Sequence, residues 1–67
     1  MAVASVTRIT AASPEGFDDA VREGVTRANK TLRGITGVHV LEQKAKVSNG
    51  HIDEFRVTME VTFVLED

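Results

Sequence analysis

Residues 52–65 carry the cleanest alternation in the chain: Phe55, Val57, Met59, Val61, Phe63 and Leu65 fall on one side, and Glu54, Arg56, Thr58, Glu60 and Thr62 on the other. A strand with this pattern has one face to bury and one to leave wet. It needs a covering layer on one side only, and the rest of the chain has to supply it.

A helix can do so. Phe17, Ala20, Val21, Gly24, Val25, Ala28, Leu32 and Ile35 recur at intervals of three and four, which is one apolar stripe of a helix of about five turns. Ser13-Pro14-Glu15 reads as its start: Ser13 offers a capping oxygen, Pro14 has no N–H to lose in the first turn, and Glu15 complements the positive end of the dipole. Gly34 reads as its stop. Gly24 lies inside the stripe, where a glycine costs about 1 kcal/mol relative to alanine. Close approach of the sheet to the helix is the expected reason.

Two more segments are strand-like. Residues 3–11 are rich in Val, Ile and Thr and contain no breaker. Residues 38–47 form the other, joined to residues 52–65 through Ser48-Asn49-Gly50-His51. A two-residue Asn49-Gly50 loop sets Glu42 against Val57 and Lys44 against Phe55, charges on the core face. A loop of odd length, Ser48 to Gly50, instead puts Leu41, Ala45 and Val47 there, so the odd loop is expected. The same register carries His39 to the core face as a partly buried or interface residue, and leaves His51 solvated at the turn.

The reading is an α+β fold in the order β-α-β-β: a three-stranded antiparallel sheet packed on one long helix, with the last strand between the other two. Residues 1–67 form a single domain. The sheet face carrying Arg56, Thr58, Glu60 and Thr62 has no second layer in the chain.

Length makes that open face consequential. A domain of about 60 residues buries only about 60% of the surface its unfolded chain exposes, and such domains usually gain stability from disulfides, a metal or oligomerisation. The chain has 67 residues and no Cys, which removes disulfides and thiolate zinc sites. His39 and His51 have no partner at ligand spacing. Self-association remains.

Eight basic and ten acidic residues are mixed along the chain, for a net charge of −2. No basic block exists to neutralise a run of phosphates, so nucleic acid is not an expected partner. The apolar runs are too short to span a membrane, and residues 1–11 lack the pattern of a secretory leader. The expected location is the cytoplasm.

Support for catalysis is slight. No Ser/His/Asp order, Cys nucleophile or Gly-rich phosphate loop is present, and Gly34-Ile35-Thr36-Gly37 follows a helix, whereas a phosphate loop precedes one. The acid pairs Asp18-Asp19, Asp53-Glu54 and Glu66-Asp67 read as solvated. Calcium takes six to eight oxygens, so a calcium site built from them has to be shared between subunits.

With this element order, Ser13-Pro14-Glu15-Gly16 before the helix, Thr31-Leu32-Arg33-Gly34 after it, and the ending Val57 to Asp67, the chain resembles a dodecin over its whole length. The resemblance implies a non-enzymatic, hollow homododecamer of 23 symmetry with the open sheet faces inward, binding flavins (FMN or riboflavin) in pairs and serving to store or buffer them. It places the ligand site at Thr36 and Gly37, after the helix, and at Lys44 and Arg56. Flavin-binding members carry a Trp where this chain has Gly37, and stacking on an aromatic is worth about 1–3 kcal/mol per ring. Flavin affinity is therefore expected to be lower by one to a few decades.

The family's Gln on the last strand aligns with Arg56, which has donors but no acceptor. Its Arg-Gly on the middle strand corresponds to Lys44-Ala45, which keeps the positive charge. Lys44 and Arg56 together suit an anionic group such as a flavin phosphate. Val40-Leu41-Glu42-Gln43 resembles the Trp-less calcium dodecins, which makes calcium binding, or a purely structural shell, the alternative. The resemblance assigns no metal ligands.

Overall fold

A computed structural model describes residues 3–65. Strand β1 (Val3–Ser13) leads to helix α1 (Phe17–Ala28), followed by β2 (Ile35–Ser48) and β3 (His51–Leu65). The sheet order is β1-β3-β2 and both pairings are antiparallel. The alternating strand is thus central, as its pattern requires: its apolar face meets α1 and its polar face stays open.

Helix and sheet meet through small residues. Ala20, Gly24 and Ala28 are the buried positions of α1, and with Val57, Met59 and Val61, each 0% exposed, they form the centre of the core. Ile9, Ala11, Phe17, Val21, Leu32, Ile35, Val38 and Val40 pack around it. A Cβ on Gly24 lies 2.6 Å from Met59 Cε and 3.2 Å from Ala11 Cβ. Close approach is therefore why a glycine stands in the stripe.

The helix starts later than the expected Ser13-Pro14-Glu15 entry and ends before its stripe does. It begins at Phe17 after an uncapped Gly16, because Ser13 is the last residue of β1. The Ser13 hydroxyl, 2% exposed, accepts the Glu15 N–H at 2.9 Å and donates to Asp19 Oδ2 at 2.5 Å, so it closes the strand-to-helix turn and leaves the helix start uncapped. At the other end Leu32 N–H donates to the Ala28 carbonyl, and Leu32 and Ile35 reach the core from a turn and from the first residue of β2. Gly34 has φ 73 and its carbonyl accepts the Val64 N–H at 2.9 Å. It stops the turn that leads into β2, six residues beyond the helix end.

The hairpin corrects the expected odd loop. Ser48 pairs with His51, leaving the two-residue loop Asn49-Gly50, with φ of 50 and 79 as a tight hairpin turn requires. Parity is restored one step later. Lys46 pairs with Glu54 and Val47 with Ile52, so Asp53 is an extra residue in the ladder. Ala45 then stands opposite Phe55 and Val47 opposite Ile52, both on the apolar side, as expected.

Leu41 does not follow. A second irregularity between Val40 and Glu42 sets it outside the ladder, and it is 40% exposed. That bulge also reverses the expectation for His39, which pairs with Glu60 on the polar face and is exposed.

Candidate functional site

The registers define the open face as rows of three, taken from β1, β3 and β2. From the hairpin outward they are Ala12, Arg56 and Lys44; Thr10, Thr58 and Glu42; Arg8, Glu60 and His39; and Val6, Thr62 and Gly37. Each row is one line of side chains on the pleated surface.

In the second row the Thr10 and Thr58 hydroxyls are 3.2 Å apart. In the third, Glu60 accepts from Arg8 at 3.4 Å and lies 3.9 Å from His39 Nδ1. Glu60 is the acid that neutralises this row, an arrangement that sequence reasoning missed because it depends on the bulge at Leu41.

Lys44 and Arg56 are direct cross-strand partners, so the structure does bring these two expected site residues together. Like charges placed opposite each other are unfavourable in a bare ladder. Each cation here has a carboxylate two residues away on its own strand: Glu42 Oε1 is 3.7 Å from Lys44 Nζ, and the Arg56 Nε–H donates to Glu54. Lys44, Ala45, Lys46 and Arg56 line a shallow recess of about 310 Å³. Its three cations outnumber the two partnering acids, which leaves it one charge positive.

Thr36 and Gly37 lie elsewhere. Gly37 pairs with Thr62 and Thr36 sits in the irregularity between Ile35 and Gly37. Thr62 is six residues along β3 from Arg56, roughly 20 Å at the strand rise. One chain therefore splits the four residues into two separate patches. Around Gly37 there is room, since no heavy atom lies within 4 Å of where a Cβ would stand.

The acidic pairs are dispersed. Asp19 holds Ser13, Glu54 holds Arg56 and Asp53 occupies the bulge, while Glu66-Asp67 lies outside the described residues. Among the described residues no group of three or more His, Asp or Glu side chains is arranged to hold a metal ion. No helix among them is long and apolar enough to cross a membrane.

The dodecin family model matches residues 3–66. The chain belongs to the dodecin family. A dodecin of Thermus thermophilus is 34% identical over 55 residues, 82% of this chain and 80% of the relative. The structure of a dodecin from Streptomyces davaonensis superposes with a TM-score of 0.94 at 38% identity, covering 98% of this chain and 97% of that one. A calcium dodecin from Mycobacterium tuberculosis, described as a calcium-chelating antigen with a novel calcium-binding site, superposes with a TM-score of 0.82 at 32% identity, covering 96% and 91%. The β-α-β-β order and the antiparallel three-stranded sheet are those of the dodecin fold, and the family is one of small, oligomeric, ligand-binding proteins.

Proposed function

We propose that the chain is a single-domain, non-enzymatic cytoplasmic protein that assembles as a homododecameric shell and sequesters a small anionic ligand. The observation that carries this reading is the open face of the sheet. It has no second layer, and its hairpin end presents Lys44 and Arg56 side by side over a net positive recess.

A flavin is supported in part. The residues present suit its phosphate, which Lys44 and Arg56 of one subunit can receive, and do not suit its ring, because Gly37, which a neighbouring subunit would have to supply to the same ligand, offers space but nothing to stack on. FMN should therefore bind more tightly than riboflavin, with both weaker than in a Trp-bearing relative. Titration followed by flavin fluorescence tests this. Equal affinity for the two flavins removes the role of Lys44 and Arg56, and no quenching by either removes the flavin. Gly37→Trp should raise affinity about 10- to 100-fold, the worth of one stacked ring.

Calcium binding is the second reading, favoured by the likeness to the calcium dodecin and by the acidic residues on both strands of the hairpin. With no converging acidic cluster among the described residues of one chain, the ion would need oxygens from more than one subunit. A midpoint of thermal unfolding that falls on addition of chelator and recovers with excess calcium is the expected result. An unchanged midpoint rejects this reading.

A further inference from the structure

Both histidines of the chain lie on the open face of the sheet. The irregularity between Val40 and Glu42 brings His39 there, opposite Glu60. Val47 and Ile52 pair on the apolar side, so the next pair outward, Ser48 and His51, faces the open side. Both histidines are exposed.

The register also sets their distance from the recess at Lys44 and Arg56. Glu60 is four residues from Arg56 along β3, and Ser48 is four residues from Lys44 along β2. At the strand rise each histidine therefore stands about 13 Å from the recess, one on either side of it.

The charges around the histidines are already matched. Glu60 faces His39 from β3, with its Oε1 3.9 Å from His39 Nδ1, and Arg8 of β1 donates to the other oxygen at 3.4 Å. Glu42, on the strand of His39, is engaged by Lys44. His51 faces Ser48, and the row beside it sets Lys46 against Glu54, with Asp53 in the bulge between. Helix α1 packs on the far face of the sheet. With both histidines neutral, the recess therefore supplies the positive potential of the open face.

Histidine is the side chain that changes charge between pH 5 and 8. We infer that His39 and His51 make anion binding on this face proton-dependent, so that it takes up its ligand more strongly as pH falls through the histidine range and releases it as pH rises. The inference rests on the anionic ligand proposed above and adds its regulation. The sign follows from charge alone, since each proton adds a positive charge to a face that is already positive. A unit charge about 13 Å from a dianion, in water at about 0.01 M salt, changes affinity about twofold, and the pair about fourfold. Higher salt removes the effect.

Binding of naphthalene-1,5-disulfonate, followed by its fluorescence, tests this. Its sulfonates stay ionised throughout, whereas a phosphate monoester loses charge near pH 6, and the chain has no Trp or Tyr to interfere. At about 0.01 M salt the affinity of the native chain should rise about fourfold from about pH 8 to about pH 6. His39→Gln and His51→Gln should each keep about twofold, and the double variant none. His39→Lys/His51→Lys should bind at the higher pH as tightly as the native chain does at the lower. A pH dependence that survives in the double glutamine variant, or a native affinity that does not change with pH, overturns the inference. Failure of the probe to bind either the native chain or the lysine variant at both pH values overturns the anionic-ligand reading, and the inference with it.

Discussion

The two faces of β3 are built from alternate residues of one strand and meet opposite fates. Val57, Met59 and Val61 have no exposed surface beneath α1, whereas Thr58, Glu60 and Thr62 between them are partly exposed on a face without a second layer. The covered face holds the chain together. The open face, joined only by threonine hydroxyls and surface ion pairs, is free to carry function, because its side chains contribute little to folding.

Substitutions across the two faces sharpen or break this contrast. Met59→Ala should have the largest effect, about 3 kcal/mol in urea unfolding, since it empties the centre of the core. A loss under 1 kcal/mol would mean that the helix does not seal that face. Ser13→Ala comes next, at about 1.5 kcal/mol, because a buried hydroxyl that both donates and accepts is lost. Asp19→Asn should recover part of that cost in the double variant.

Gly24→Ala should destabilise by about 1 kcal/mol. Alanine gains helix propensity, but its Cβ meets the Met59 methyl and Ala11 Cβ, and Ala11 has no rotamer with which to give way. Stabilisation would show that α1 can lift from the sheet. Smallest is Glu60→Gln on the open face, under about 0.5 kcal/mol by thermal unfolding, as its ion pair with Arg8 and its contact with His39 lie at the surface. A larger loss would show that the open face also stabilises the fold.

Much of the fold was legible because β3 and α1 carry their periods in plain form. The helix ends were not. Leu32 and Ile35 keep the three-and-four spacing while lying outside α1, since a turn that returns its side chains to the same core is indistinguishable by spacing from another helical turn. The Ser13-Pro14-Glu15 start failed for a related reason: a serine that accepts a nearby backbone N–H ends a strand as readily as it begins a helix.

The site was legible in parts. Lys44 and Arg56 entered the site through the family resemblance, and they stand opposite each other because Asp53 is an extra residue in the ladder. The pairing of each with its own carboxylate, and the distance separating both from Thr36 and Gly37, follow from side-chain geometry and from two bulges that leave no mark in the alternation. His39 changed faces because of one of them.

By itself the sequence determined which residues of α1 and of the central part of β3 face the core, the order β-α-β-β, the close approach at Gly24 and the absence of any covalent staple. These are consequences of local period and residue chemistry. Tertiary structure decided the loop length, the places where the ladder slips, and how far along the sheet the helix reaches. One extra residue in a strand reverses the facing of every residue beyond it, and no local preference announces where the chain will place it.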